Sequence, residues 1–450
     1  MSLYLPQIQA LQPALNEPTK RYVLNWEQGT GKTPAAITLM QAFGVQSVLV
    51  VCPSMVKRSW QDQLDTWWPG HPGVDAISTH DEALLAKAPI QIVSYGLVQD
   101  VWATDWYLII IDEIHFVKAP GSVRSLAVRE LVKANPKAYI LALTGTLMPN
   151  DIGDVWNPLD MLWPDRFGSH WKFRHRYQNS YEKVINAQTG ESRTQFEGLN
   201  PLHADELKMR LSAISTRVTR EDVAEYLPPF DIKLLRMSTD PVASGAQDVG
   251  EIERGLELAA HAKLGQVVDW VVDTQETTSH VCALAYHQAV AREMFERLTA
   301  RLPLKKIIYV DGTVPIPQRI NALEAAKSAP DAIVVAALKS VGIGIDLTWL
   351  TQAIFAELYW SPGVMEQVLL RFSRLSGKLP SAVYFSLVPG SIDEVIAVRL
   401  ADKFRAINPT TAKPGEIGGR FENLLDISDA EWLAGLTKAA AQLQEEDYLE

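Results

Sequence analysis

Seven consecutive residues, Glu27-Gln28-Gly29-Thr30-Gly31-Lys32-Thr33, bring two glycines, an ammonium and a hydroxyl together between an apolar strand pattern and a helical pattern running from Pro34 to Phe43. The glycines let backbone N–H groups turn onto phosphate oxygens, and the helix that follows presents its positive N-terminus to them. Lys32 is placed to reach the β- and γ-phosphates, and the Thr33 hydroxyl is a ligand for Mg²⁺. This is the chemistry of an anion cradle, and a nucleoside triphosphate is its natural occupant. The strict form of the pattern carries a glycine where Trp26 stands.

A second cluster follows some eighty residues on. Residues 107 to 117 read Tyr-Leu-Ile-Ile-Ile-Asp-Glu-Ile-His-Phe-Val, an apolar run ending in two carboxylates and a histidine. Such a run predicts a buried parallel strand, and acids at its C-terminal end lie where open α/β sheets bind ligands. Asp112 is expected to hold Mg²⁺ through water, with Glu113 orienting and deprotonating the attacking water. His115 is expected to bond a neighbouring motif rather than a metal.

The elements that position these groups follow from the alternation of patterns. Strands are expected at 22–24, 47–52, 90–94, 108–111 and 139–143, with amphipathic helices between them, which implies a parallel sheet covered on both faces. Residues 150–230 break the rhythm with tryptophans, prolines and basic residues, and Leu227-Pro228-Pro229 closes the lobe. A helical stretch at 248–273 opens a second α/β lobe with strands at 280–285, 307–310, 332–336, 353–356 and 383–387. Asn408 to Gly415 reads as a linker into an acidic tail with two helical stretches. The expected organisation is a first lobe over 1–230, including a helical, basic insertion at 150–230, a second lobe over 231–410, and a tail over 411–450.

Composition bounds the function class. The 450 residues are 47% hydrophobic and 21% charged, ordinary for a globular protein. No apolar run approaches the roughly 18 residues needed to cross a bilayer, and Met1 to Pro13 lacks the basic and apolar regions of a signal peptide, so an intracellular, soluble protein is expected. Cys52 and Cys282 lie in separate apolar runs and read as buried free thiols; neither a disulfide nor a structural metal site is expected. The net charge of −11 is unevenly spread. Residues 415–450 hold nine acids against two basic residues, whereas 166–220 hold ten Lys/Arg against five acids, with Trp171, Phe173 and Tyr177 interleaved. That basic stretch suits a phosphate backbone or a solvated helix face. The acidic tail reads as a solvated appendage, and Trp67, Trp68 and Trp163 as packing residues.

Taken in order, these segments resemble superfamily-two nucleic-acid translocases, and among them the SWI/SNF-like DNA-dependent ATPases, over about residues 5 to 400. Gln7 after Pro6 sits where that family places its adenine-reading glutamine. Val48 to Ser54, followed by Trp60, is similar to the motif whose loop touches the DNA backbone, and Ile92 to Tyr95 matches the next strand. Asp112-Glu-Ile-His115 with Lys118 matches the DExH box, and Leu143-Thr-Gly-Thr146 with Asn150 the motif that couples hydrolysis to lobe movement. Arg217-Val-Thr-Arg220 through Pro229 resembles the segment closing the first lobe. In the second half, Asp311-Gly312 with Gln318-Arg319, Gly342 to Thr348, and Phe355 to Gly363 with Gln367, Arg371 and Arg374 are similar to the later motifs, especially those of the fork-remodelling, annealing-helicase branch. The compact length resembles phage or bacterial members. The chain departs from the pattern at Trp26, Asp346, Ser373, Ser376 and Gly377.

The resemblance implies two tandem RecA-like parallel-sheet lobes of α/β class that use ATP and Mg²⁺ and partner duplex or forked DNA. It implies ATP contacts from Gln7, Gly344, Asp346 and Gln367 besides the phosphate loop, and coupling roles for His115, Thr144 and Thr146. It also implies nucleic-acid contacts from Ser54, Lys57, Tyr95, Lys118, Ser340 and Thr348. Arg371 and Arg374, three apart, would share one helix face and neutralise charge at the γ-phosphate. The expected activity is ATP-driven translocation along DNA. The alternatives are a strand-separating DNA or RNA helicase and a nucleotide-gated scaffold with little turnover.

Overall fold

The computed structural model describes residues 2–44, 47–101, 105–145, 147, 152–186, 191–239, 249–341, 346–377, 379 and 381–407. Thr146, Asn150, Gly344 and the acidic tail fall outside these described residues. The chain divides into two compact units between Val223 and Ala224.

In the first unit, strands β1 (Arg21–Asn25), β2 (Val48–Cys52), β3 (Val74–Ala76), β4 (Ile90–Ser94), β5 (Leu108–Asp112) and β6 (Tyr139–Thr144) build one sheet. An antiparallel hairpin, β7 (Gln178–Asn186) and β8 (Glu191–Leu199), stands apart from it, and a short β9 (Ser215–Thr216) completes its edge. The sheet order is β3-β4-β2-β5-β6-β1-β9, with every pair parallel. Strands β2, β5 and β6 are buried along their whole length, so both faces must be covered, and their unbroken Val, Ile and Leu runs satisfy that requirement. Register sets the levels of the strand ends: Asn25 pairs with Thr144, and Leu143 with Asp112. The C-terminal ends of β1, β6 and β5 are therefore neighbours, about 4.8 Å apart from strand to strand.

The second unit holds β10 (Phe230–Arg236), β11 (His280–Ala285), β12 (Ile307–Val310), β13 (Ala332–Ala337), β14 (Gln352–Phe355) and β15 (Ser381–Leu387), in the order β10-β15-β14-β11-β13-β12 and again all parallel. One long helix, Val249–Thr277, packs on the sheet through Leu256, Ala260, Leu264 and Val268 among others. Inside this unit Lys263 and Asp393 are wholly buried as an ion pair, Nζ to Oδ2 2.6 Å, and Nζ also donates to the Ser386 carbonyl at 2.6 Å. Both cysteines are buried free thiols.

Several elements depart from the sequence expectation. Residues 150–230 are not helical throughout, because the hairpin β7–β8 occupies their middle; its Tyr, Val, Ile, Thr and Phe residues favour extended backbone. Strand β10, which the sequence pattern does not indicate, starts immediately after Pro228-Pro229 and pairs along its length with β15; its burial pattern is mixed. The edge strands β3 and β9 are too short to carry an apolar signature.

Candidate nucleotide site

The turn after β1 is shaped by two left-handed glycines, Gly29 at φ 80° and Gly31 at φ 89°, a region that costs other residues about 1–2 kcal/mol. Gly31 is the N-cap of the helix Lys32–Phe43 and supplies no side-chain acceptor to its first turn, whose positive end faces the loop. Thr30 is wholly buried; its hydroxyl donates to the Glu27 carbonyl at 2.7 Å, and its own carbonyl accepts from Gln7 Nε2 at 2.8 Å. Gln7 Oε1 in turn accepts the Tyr4 N–H at 2.7 Å, so the buried Gln7 amide braces the loop from behind. The Lys32 ammonium folds onto the loop, donating to the carbonyls of Trp26 at 2.8 Å and Glu27 at 3.2 Å. Thr33 is half-buried in the first turn of the helix.

Trp26, the departure from the strict pattern, is a core residue. It is fully buried, and its indole N–H donates to Thr216 Oγ1 at 3.2 Å, which ties the start of the loop to β9. Glu27 has a role that the sequence reading did not assign. Its Oε1 lies 3.1 Å from Arg217 Nη2, its Oε2 accepts the Arg220 N–H at 2.9 Å, and its own N–H donates to the Val218 carbonyl at 2.9 Å.

The acids lie two strands away. Asp112 ends β5, and Glu113 follows with φ 55°, ψ 56°, an uncommon conformation for a residue with a side chain. Tyr95 holds this turn: its hydroxyl donates to the Asp112 carbonyl at 2.8 Å and to the Glu113 carbonyl at 3.2 Å. Trp60, 1% exposed, donates its indole N–H to Asp112 Oδ2 at 2.9 Å. His115 Nδ1 stands between Glu113 Oε2 at 3.3 Å and Thr144 Oγ1 at 3.2 Å. This is the bond to a neighbouring motif expected of it. A Cβ on Gly145 would meet Gln28 Cγ at 3.0 Å and Lys32 Nζ at 3.4 Å, so the end of β6 passes directly over the phosphate loop.

These surroundings drive the two carboxyls apart. Burial, and then the charge of Glu113, raise the Asp112 carboxyl above the ordinary range. Burial would raise Glu113 as well, but the His115 hydrogen bond and the Lys32 charge outweigh it and hold Glu113 low. A buried carboxylate that is costly to ionise alone is a fit for a hard cation, and the donor set of Asp112 carboxylate and Thr33 hydroxyl is the all-oxygen set that Mg²⁺ takes.

Among the residues expected to meet nucleic acid, Ser54 is exposed. The others are engaged within the protein. Lys57 Nζ donates to the Ile77 carbonyl and to Ser78 Oγ, both at 2.7 Å, and Lys118 Nζ to Asp154 Oδ2 at 3.0 Å. Tyr95 is 4% exposed and serves the acidic turn. In the second unit Ser340 is buried, its hydroxyl donating to the Val310 carbonyl at 2.9 Å, while the Thr348 N–H donates to Asp346 Oδ1 at 3.0 Å. Gln367 is exposed on the helix Pro362–Leu369. That helix ends before Arg371 and Arg374, which lie in the turns that follow, so the expected shared helix face does not form. The chain leaves the helix through Arg371 N to Val368 O and Phe372 N to Leu369 O, both 3.0 Å, and the buried Phe372 anchors the turn. Arg374 Nε donates to the Leu370 carbonyl at 3.3 Å; burial lowers its pKa, and the charge of Asp346 works against that.

The sequence reading placed Trp60 in a DNA-touching motif and missed its bond to Asp112. A signal was available, since Trp60 and Leu64 are the buried pair of the helix Lys57–Trp67, and a buried indole N–H needs an acceptor.

The chain is 24% identical over 440 residues to the bovine (Bos taurus) DNA annealing helicase and endonuclease ZRANB3, covering 88% of this chain and 39% of that protein. It is 24% identical over 416 residues to the SWI/SNF-related matrix-associated actin-dependent regulator of chromatin subfamily A-like protein 1 of Xenopus tropicalis, covering 86% of this chain and 43% of that protein. The chain thus spans about two fifths of the length of these curated relatives. Among solved structures, a Sulfolobus solfataricus SWI2/SNF2 ATPase core in complex with dsDNA is 17% identical, covers 93% of this chain and 96% of that one, and has a TM-score of 0.45. The model of the SNF2-related domain matches residues 15–244, more than half of the chain, which therefore belongs to the SNF2-related family of helicase-like ATPases.

Proposed function

We propose that this chain hydrolyses ATP in response to DNA and uses the cycle to move along duplex or forked DNA without reading its sequence. The observation that carries the proposal is the joining of the phosphate loop and the acid pair across adjacent strands. Gly145 lies over Gln28 and Lys32, while Thr144 is bonded through His115 to Glu113. One wall thus offers N–H groups and an ammonium for phosphate, and the facing wall offers a carboxylate held ionised for activating water.

In this reading Gly29, Thr30, Gly31 and Lys32 bind the phosphates, and Gln7 holds the loop in shape beside the nucleotide. Thr33 and Asp112 would hold Mg²⁺, which supplies charge neutralisation on the β- and γ-phosphates. Glu113 accepts the proton of the attacking water, and His115 with Thr144 keeps its carboxylate aimed. Arg371 and Arg374 are proposed as the guanidinium groups that neutralise transition-state charge, with Asp346 orienting Arg374. DNA contacts are assigned to phosphates, which would make binding sequence-tolerant and predicts strong weakening by salt.

Steady-state ATPase measured with and without duplex DNA tests the proposal. Glu113→Gln should retain nucleotide binding and lose at least about a hundredfold in DNA-stimulated turnover, with Arg374→Ala also strongly impaired. Unchanged turnover in Glu113→Gln, or a wild-type rate indifferent to DNA, would refute it.

A further inference from the structure

The helix His170–Tyr177 contains no acidic residue and carries Arg174, His175 and Arg176 in its last turn. Its inner side is fixed. Phe173 and Tyr177 are each 1% exposed, the Tyr177 hydroxyl donates to Glu206 Oε1 at 2.7 Å and accepts from Arg210 Nη1 at 2.9 Å, and Arg176 Nε reaches both Glu206 oxygens at 3.0 and 2.9 Å. Its outer side carries Trp171, 63% exposed. The Trp171 ring lies 3.7 Å from the His175 ring, and His175 meets Phe196 of the hairpin edge-on at 4.8 Å. The Arg174 guanidinium sits 4.5 Å over Phe196 and is steadied by Nε donating to Gln178 Oε1 at 2.6 Å. Tyr181, on the hairpin, is 45% exposed.

A tryptophan facing water on a rigid, cationic, acid-free helix is poorly explained by packing, since large aromatic side chains are usually buried. It is well explained as a stacking platform. A nucleobase laid on an indole gains by π-stacking whatever its identity, and neighbouring Lys172 and Arg174 supply positive charge for the adjoining phosphates, Arg176 being paired with Glu206. Within a duplex both faces of each base are covered by its neighbours. Only an unpaired base has a face to offer.

We propose that the Trp171 platform binds an unpaired nucleotide of DNA at the point where a single strand leaves a duplex. The site deepens the reading of the chain as a DNA-tracking ATPase and rests on it: it gives a motor that grips phosphates regardless of sequence a means of distinguishing a junction from continuous duplex.

The test compares equilibrium binding, without nucleotide, to a blunt duplex and to the same duplex bearing an unpaired tail. Wild-type protein should prefer the tailed DNA by roughly five- to a hundredfold, the range that stacking of one base commands. Trp171→Ala should bring that ratio close to one, and Trp171→Phe, which keeps a π face, should retain most of it. Thermal unfolding of both variants checks that the fold persists, as the exposure of Trp171 leads one to expect. A wild-type ratio of one, or a ratio unchanged in Trp171→Ala, overturns the site. The ATPase response of wild-type protein to blunt duplex tests the parent reading separately, because the binding ratio requires no turnover.

Discussion

Trp60→Phe isolates the indole N–H that points at Asp112. The substitution keeps an aromatic ring in a position that is 1% exposed and removes the 2.9 Å bond to Oδ2. A hydrogen bond to a charged group contributes about 1.5–3 kcal/mol, or roughly ten- to 150-fold in whatever equilibrium requires the ionised carboxyl. The Asp112 carboxyl is already raised by burial and by the Glu113 charge, and the Trp60 bond opposes that rise. Losing it lifts the pKa further. A function that needs the carboxylate exists above that pKa and disappears as pH falls through it, so in the variant the loss begins at a higher pH than in the wild type. If Asp112 holds Mg²⁺, the half-saturating Mg²⁺ concentration should also rise on the order of ten- to a hundredfold, the usual consequence of removing a partner from a metal ligand. DNA-stimulated ATPase, titrated with Mg²⁺ from mildly acidic to mildly alkaline pH, reads both effects. A variant with wild-type Mg²⁺ response and an unmoved acid limb would show that Trp60 merely packs and that Asp112 is not the metal-holding group.

Two further substitutions test the framework around the site. Lys263→Met leaves Asp393 buried without its partner and should destabilise the second unit by about 3–5 kcal/mol, lowering its melting temperature by roughly 6–20 °C. Because burial already raises the Asp393 carboxyl and the Lys263 charge opposes this, the variant's Asp393 is pushed higher still. A carboxyl raised in the folded state favours folding below its unfolded pKa and loses that contribution as pH rises, so the deficit in calorimetry should be greatest at neutral pH and shrink in acid. Glu27→Ala removes the acceptor of the buried Arg220 N–H, and hydrogen exchange at that amide should accelerate on the order of ten- to a hundredfold.

The chemistry that was legible in the sequence is local. The phosphate loop and the acid pair each sit within a few consecutive residues flanked by apolar strands, and both strand ends lie in the sheet where the alternation implies. What the sequence hid is long-range. Trp60 finds Asp112 across 52 positions, Glu27 finds Arg220 across 193, and Lys263 finds Asp393 across 130. None of these pairings leaves a periodicity. The hairpin β7–β8 was hidden because its strands pack on one helix rather than in the main sheet, so their polar residues carry no clean alternation. Spacing alone misplaced Arg371 and Arg374: three residues apart is a helix face only if the helix continues, and this one ends at Leu369. Lys57, Lys118 and Tyr95 have side chains suited to phosphate, but carbonyls and a carboxylate within the fold engage them first.

Glu27 shows how occupancy of the loop can be felt at the end of the first unit. It is the loop residue whose carboxylate grips Arg217 and the Arg220 amide, in a segment that ends three residues before the boundary at Val223. The Lys32 ammonium is bonded to the carbonyls of Trp26 and Glu27, and a phosphate competing for that ammonium would draw it from those same carbonyls. Trp26 cannot follow, since it is wholly buried and tied to Thr216. The residue after it is held on the far side by the Val218 carbonyl and by the Arg220 N–H. The fixed Trp26 and the Glu27 carboxylate thus tie the phosphate loop to Thr216, Arg217 and Arg220 near the end of the first unit.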